Sequence, residues 1–368
     1  MKIAIFIPNF LQGGAETVMV NIANYMADMG HQIDLIVAEN RGPLKDIVSE
    51  KININNLNCG RVIFSLPKLV FYFLNKKPDV FFSTLKENNV VAILASIISL
   101  SKAKVVIREA NTLSEEFSRE SKLLQKIKLF LVKFLYPRAD RVVALSFHMK
   151  NDIDNFLAID SKKIKVIYNP VNIERLDELS KVDCIKGNPI LNPAVKNIVS
   201  VARLYKSKGY DTILHALSLL KKKGHQFHFY AVGDGPENED LVRLTDELQL
   251  SDCVSFLGFK KNPFSILSNA DCFVLASHYE GMPNSLLQAM ALNIPIICSD
   301  SPGASSEVLE RGKFGYLFPV NDYECLSKLL DKLFSNDKAK VDTRTIIIKN
   351  HNADRIMQEY TTTLTSWD

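Results

Sequence analysis

The sequence predicts an α/β protein of two successive domains, each a doubly wound parallel sheet covered by helices. Three observations carry the prediction. Short runs rich in β-branched and aromatic residues, such as Ile33–Val37 and Phe227–Val232, alternate with longer segments whose apolar residues recur every three to four positions. The chain has 368 residues, long for one core and natural for two. The alternation lapses once, between Asn172 and Lys196, where Pro189 and Pro193 punctuate a stretch poor in pattern.

Taken in order, Lys2–Pro8 reads as a strand. Gln12-Gly13-Gly14-Ala15-Glu16 is a glycine turn opening a helix with Val18, Ile22, Met26 and Met29 on one face. Gly30 ends that helix and Ile33–Val37 is the next strand, a strand–helix–strand start that implies parallel pairing. The pattern continues through a strand at Asp79–Ser83, a helix to Leu100, and strands at Ala103–Ile107, Arg141–Ser146 and Lys165–Tyr168. Residues 1–172 are thus one expected domain and 173–195 a linker. A second alternation starts at Lys196–Val201 and returns at Phe227–Val232, Val254–Leu257, Phe273–Leu275, Pro295–Cys298 and Gly315–Phe318, making 196–353 the second domain. A last helical stretch lies near Asp354–Thr363.

With 47% hydrophobic and 23% charged residues, the composition is that of an ordinary globular protein. The net charge of +4 is unevenly spread: residues 1–172 carry 23 Lys and Arg against 16 Asp and Glu. Such a basic half suits a polyanionic surface, and anionic lipid fits better than nucleic acid because no basic motif interleaved with aromatics occurs. The six cysteines form no C-x-x-C pair, so a reduced, cytoplasmic setting is expected. The N-terminal apolar run is too short for a secretory signal, and the longest one, near Val90–Leu100, falls short of the roughly 20 residues of a membrane-spanning helix. Residues 121–141 interleave Lys122, Lys126, Lys128, Lys133, Arg138 and Arg141 with Leu123, Leu124, Ile127, Leu129, Phe130, Leu131, Val132, Phe134 and Leu135 at helical spacing, which suits either peripheral contact with a membrane or a core helix with a solvated basic edge.

Several chemistries are disfavoured. Gly233-Asp234-Gly235 lacks the third glycine of a dinucleotide fingerprint, and no phosphate loop of the G-x-x-x-x-G-K type is present. Asp152-Ile153-Asp154 places its carboxylates on different sides of a helix, and the seven histidines show no ligand spacing, so no metal site is expected.

The chemistry instead gathers at Ser277–Leu292. An apolar run, Cys272–Ala276, leads to a turn carrying Glu280, Gly281 and Pro283, and then to a helix with Asn284 or Ser285 placed to cap it. A carboxylate and a helix N-terminus then converge on one spot suited to an anion such as a phosphate. Upstream, Arg203 and Lys208 follow the strand Ile198–Val201, at the sheet edge where open α/β folds bind ligands; two cations there could neutralise a leaving diphosphate.

Glu280-Gly281-x-Pro283-Asn284 with Gln288 resembles the E-x7-E signature of retaining GT-B glycosyltransferases of the group 1 family (glycosyltransferase family 4), and Arg203-x4-Lys208 is similar to that family's R-x4-K pattern. The resemblance implies two Rossmann-like domains facing each other across a cleft, with the C-terminal helix crossing back onto the first. It implies a metal-independent transfer from a nucleotide-diphosphate sugar, most simply a UDP-sugar, with no cofactor beyond that substrate. Glu280 would hold the donor sugar with the amides of Gly281, Met282 and Asn284 near Pro283, and Gln288 stands where the family's second Glu holds ribose. Gly258-Phe259 resembles the loop that reads the nucleobase, and Ser301–Glu307 the family's glycine-rich turn before an acidic residue. The loop at Gly13 and Gly14 would face donor phosphates and acceptor, with Glu16 beside it. Glu109 and Asn111, at a strand end resembling an R-N or E-R-N-like run, would meet the acceptor, a glycan or lipid-linked saccharide of polysaccharide or lipopolysaccharide synthesis; for Glu109 a loop salt bridge is an equal alternative. Gln288 in place of Glu leaves a second reading, a nucleotide-sugar-binding protein or a GT-B epimerase.

Overall fold

The computed structural model describes residues 1–11, 13–118, 123–182, 192–335 and 341–367. Gln12 of the glycine turn, the first part of the basic 121–141 stretch, and Pro189 fall outside them. The chain divides into two compact units, Met1–Pro170 with Asp354–Asp368, and Val171–Ala353.

The first unit runs β1 (Lys2–Ile7), α1 (Gly14–Asp28), β2 (Gln32–Val37), β3 (Asn53–Asn56), α2 (Leu66–Lys76), β4 (Val80–Thr84), α3 (Lys86–Ile98), β5 (Lys104–Arg108), α4 (Leu113–Ser118), α5 (Leu123–Leu135), β6 (Arg141–Ala144), α6 (Phe147–Leu157) and β7 (Ile164–Val166). The strands form one sheet, ordered β3-β2-β1-β4-β5-β6-β7, and every pairing is parallel. Helices cover both faces, which is why β1 buries Ile3, Ala4, Ile5, Phe6 and Ile7 without alternation.

Pattern reading missed β3, whose Asn-Ile-Asn-Asn run is polar because it is an edge strand. Its Asn53 donates to Asp34 on β2 at 2.8 Å. Met29, expected on the buried face of α1, is exposed instead, because the helix ends at Asp28 and Met29 occupies the cap position.

The second unit runs α7 (Ile173–Lys181), β8 (Lys196–Val201), α8 (Tyr210–Lys222), β9 (Phe227–Val232), α9 (Asn238–Glu247), β10 (Val254–Phe256), α10 (Phe264–Leu267), β11 (Cys272–Leu275), α11 (Asn284–Ala291), β12 (Ile296–Ser299), α12 (Ser305–Val308), β13 (Tyr316–Phe318), α13 (Tyr323–Ser335) and α14 (Arg344–His351). Its sheet is parallel throughout, ordered β10-β9-β8-β11-β12-β13. Helix α7 lies in the stretch expected as linker. Asn172 caps it, accepting from the Arg175 amide at 2.9 Å, and a two-pronged Arg344–Asp177 ion pair (2.8 and 2.6 Å) ties it to α14.

A last helix, α15 (Ala353–Thr365), returns to the first unit, burying Ile356, Met357, Tyr360 and Leu364 in the core built around β1 and α1. The fully buried Arg108 guanidinium at the end of β5 donates to Tyr360 Oη (3.1 Å), Thr84 Oγ1 (3.1 Å) and Asn169 Oδ1 (2.7 Å). Burying a guanidinium is costly unless its donors are satisfied, and these three neutral oxygens share that task.

Candidate functional site

In the second sheet the strand order reverses at β8: β9 and β10 extend to one side, β11, β12 and β13 to the other. Loops leaving β8 and β11 at their C-terminal ends therefore lie side by side at the position where open α/β sheets bind ligands. Arg203 and Lys208 lie on the first of these loops, Glu280 on the second.

The loops are held against each other at close quarters. Gly209 takes a left-handed φ of +64°, and a Cβ added there would stand 2.2 Å from the Ala276 carbonyl oxygen, so the position demands glycine. The His278 amide donates to the Ser207 carbonyl at 2.8 Å. Lys208 Nζ thereby meets Glu280 Oε1 at 2.5 Å, and Ser277 Oγ donates to the same oxygen at 2.7 Å. Glu280 is only 9% exposed, so the pair is mostly withdrawn from water. Arg203 is exposed, its guanidinium 5.2 Å from the Tyr205 ring.

Beyond Glu280 the chain turns into α11. Pro283, not Asn284 or Ser285, occupies the cap position, and its carbonyl accepts from the Leu286 and Leu287 amides at 3.1 and 3.3 Å. The expected side-chain cap is thus replaced by a backbone turn, with Asn284 as the first helical residue and Gln288 one turn further on the same side. Gly281, Met282 and Pro283 are buried, Asn284 and Gln288 half-buried.

The turn before α12 closes over this segment. The Glu280 amide donates to Pro302 O, the Ala304 amide donates to Gly281 O, both at 3.0 Å, and a Cβ on Gly303 would lie 1.9 Å from Glu280 O. Glu307 sits half-buried on α12. On the other side, the Gly233 amide donates to Gly258 O at 3.0 Å, and a Cβ on Gly233 would meet Ala202 O at 1.9 Å. Phe259 is 57% exposed, where an aromatic at a strand exit more commonly packs into the core.

In the first unit, Gly13 caps α1 and Gly14 begins it. A Cβ on Gly13 would stand 2.0 Å from Glu16 Oε2, so the Glu16 carboxylate folds back over the positive end of the helix. Glu109 corrects the expectation of direct acceptor contact. It is 1% exposed, accepts from Tyr136 Oη at 2.6 Å and from the Ala110 amide at 3.0 Å, and points into the domain. Burial outweighs those hydrogen bonds and pushes its carboxyl up to about 7. Asn111 lies next to it, half-buried.

Three polar residues escaped the sequence reading. Ser277 holds Glu280, Tyr205 underlies Arg203, and Lys86 heads α3. Lys86 is 6% exposed, pairs with Glu116 at 2.5 Å and lies 4.5 Å from the Phe117 ring centroid. No spacing marks a lone Ser, Tyr or Lys; only the strand order does, because β1 and β4 flank the reversal point of the first sheet as β8 and β11 do in the second.

Comparison with known proteins agrees with the fold of two parallel sheets. The family profile described as "Glycosyl transferases group 1" matches residues 186–353, and "Glycosyltransferase Family 4" matches residues 12–175. Among curated relatives, the N-acetylgalactosamine-N,N'-diacetylbacillosaminyl-diphospho-undecaprenol 4-alpha-N-acetylgalactosaminyltransferase of Campylobacter jejuni is 26% identical over 353 residues, 92% of each chain. The O-antigen biosynthesis glycosyltransferase WclY of Escherichia coli is 25% identical over 303 residues, 82% of this chain and 81% of its own. Among solved structures, HepE of Anabaena in complex with UDP-glucose superposes with a TM-score of 0.83 at 20% identity, covering 100% of both chains. Sucrose-phosphate synthase of Thermosynechococcus elongatus gives 0.83 at 17% identity, covering 98% of this chain and 97% of its own.

Proposed function

The chain belongs to the group 1 glycosyltransferases and has the two-domain α/β GT-B fold, and from that premise we propose that it transfers a sugar, with retention at the anomeric carbon, from a UDP-sugar to a lipid-linked saccharide or growing glycan in polysaccharide or lipopolysaccharide synthesis. The observation that carries this reading is the Lys208–Glu280 pair at the reversal point of the second sheet, on loops leaving adjacent strands.

Glu280 holds hydroxyls of the donor sugar, fixed by Lys208 and Ser277. The backbone of Gly281, Met282 and Asn284 lines the same turn, and Gln288 offers uncharged donors and acceptors to the ribose. The exposed Phe259 ring gives a base a face to stack on. Arg203 and Lys208 offset the negative charge that grows on the diphosphate as the anomeric C–O bond breaks, so the reaction is written without a metal. The acceptor oxygen bonds to the anomeric carbon on the side the phosphate leaves, and the leaving phosphate oxygen takes the acceptor's proton. This gives a glycoside and UDP. Gly13 and Gly14 let the first domain's backbone approach the acceptor, with Glu16 beside them. Glu109 acts behind the surface as a positioning residue for Asn111.

The names of two similar proteins support the substrates: the Campylobacter relative is named for a diphospho-undecaprenol acceptor, and the Anabaena structure was determined with UDP-glucose. The test is incubation of the full chain with isotope-labelled UDP-sugars and bacterial membranes, with and without EDTA. Label is expected in the lipid fraction in both cases. Neither transfer nor donor hydrolysis with any common UDP-sugar would overturn the proposal. Donor binding without turnover would restore the binding-protein reading.

A further inference from the structure

Helix α5 has two apolar faces. Val132 and Leu135 point into the first unit and are buried, while Ile127, Phe130 and Phe134 are 50%, 65% and 50% exposed on the opposite side. The outer residues follow helical spacing, with Lys126, Lys133 and Arg138 between and beyond them. A helix that merely roofed a core would keep its large apolar side chains inward. Helix α3 packs against both α5 and α2, and the outer surface of this layer continues the pattern. Phe71 and Leu74 on α2 are 69% and 53% exposed, and Leu100 just past α3 is 88% exposed. Where α3 ends, an open groove of about 510 Å³ has Ile97 and Leu100 with Lys102, Lys104 and Arg138 along its walls. Asp140 also lines the groove and pairs with Lys104 at 3.0 Å. Arg138 stacks on the Phe134 ring at 3.6 Å, so the groove and the α5 stripe are contiguous.

We propose that this layer of α2, α3 and α5 is a docking face for a bilayer rich in anionic lipid. The exposed rings enter the headgroup region, and Lys102, Lys126 and Arg138 meet lipid phosphates. The chemistry selects that occupant. Large aromatic and aliphatic side chains interleaved with cations suit an interface that is apolar beneath and anionic above. A second copy of the chain fits poorly, because a two-fold contact would bring the same cations face to face. No helix among the described residues is long and apolar enough to cross a membrane, so this attachment lies on the surface and does not span it.

The test is flotation of the full-length protein with vesicles, which requires no turnover and stands or falls independently of the transferase reading. Wild type is expected to float with vesicles of phosphatidylcholine mixed with phosphatidylglycerol, at least tenfold more than with phosphatidylcholine alone, and to lose that excess at high salt. Phe130→Ser/Phe134→Ser and Lys102→Glu/Lys126→Glu each weaken flotation about tenfold or more, with thermal melting unchanged because all four residues are exposed. Equal flotation with both vesicle types, or undiminished flotation of either variant, would overturn the proposal. So would a dimer in the ultracentrifuge that Phe130→Ser/Phe134→Ser dissociates, since that would make the face a protein interface.

Discussion

The close approach of the β8 and β11 loops at Gly209 yields a prediction whose size follows from geometry. Gly209→Ala keeps a left-handed φ and adds a methyl carbon 2.2 Å from the Ala276 carbonyl oxygen. Gly224→Ala serves as the reference, since its φ is also positive, at +87°, with nothing within 4 Å of the added carbon. Both pay the left-handed cost of an L-residue, about 1–2 kcal/mol, reduced by the lower entropy of an unfolded chain with alanine. Gly224→Ala should therefore destabilise the second domain by about 1 kcal/mol or less. Gly209→Ala adds a steric conflict with rigid backbone, worth about 1–3 kcal/mol when a packed interior must shift, for a total of about 2–4 kcal/mol. For a domain of this size that corresponds to a fall in Tm of about 5–10 °C, resolved by calorimetry and urea titration. The shift that relieves the conflict moves Ala276, and with it Ser277 and Glu280, away from Lys208. Donor turnover should thus fall far more in Gly209→Ala than in Gly224→Ala. Equal stability losses in the two variants would refute the reasoning, because the loops would then not be held by that contact.

Four more substitutions test other parts of the molecule. Glu280→Ala should lower transfer by about 10²–10³-fold, the scale of one lost group contacting the reacting substrate, while Gln288→Glu keeps or raises it; an active Glu280→Ala enzyme in a donor-turnover assay would remove Glu280 from the site. Glu109, raised to about 7 by burial, is protonated in the folded chain at pH values where the unfolded chain has released its proton. Its contribution is therefore full below the ordinary carboxylate pKa and disappears as pH rises through about 7, and Glu109→Gln should flatten the decline that wild type shows between those limits in urea melts at stepped pH. Arg108→Leu strips the donors from Tyr360, Thr84 and Asn169, which should cost about 2–4 kcal/mol and loosen α15, seen as faster proteolysis at the C-terminus than in wild type.

Much of this was legible in the chain. Strands that are buried on both faces must be continuous apolar runs, so β1, β2, β8 and β9 announce themselves and imply parallel sheets. Edge strand β3 did not, because an edge needs no apolar side chains and Asn-Ile-Asn-Asn carries no alternation. The Glu280 turn was legible because glycine, proline and a lone carboxylate between a strand and a helix leave few other structures. Its partner Ser277 was not, since a serine three residues away shows its role only when the strand exit bends.

The division has one physical cause. Backbone preferences and hydrophobic periodicity act over a few residues, and they fix the elements, the parallel pairing and the turn that carries Glu280. Which side of β8 each later strand joins is decided by packing the whole sheet. Only that choice brings Lys208 within 2.5 Å of a carboxylate 72 residues further along. The same packing turned Glu109 inward against Tyr136 and left Ile127, Phe130 and Phe134 facing out, although local spacing treats inward and outward apolar residues alike.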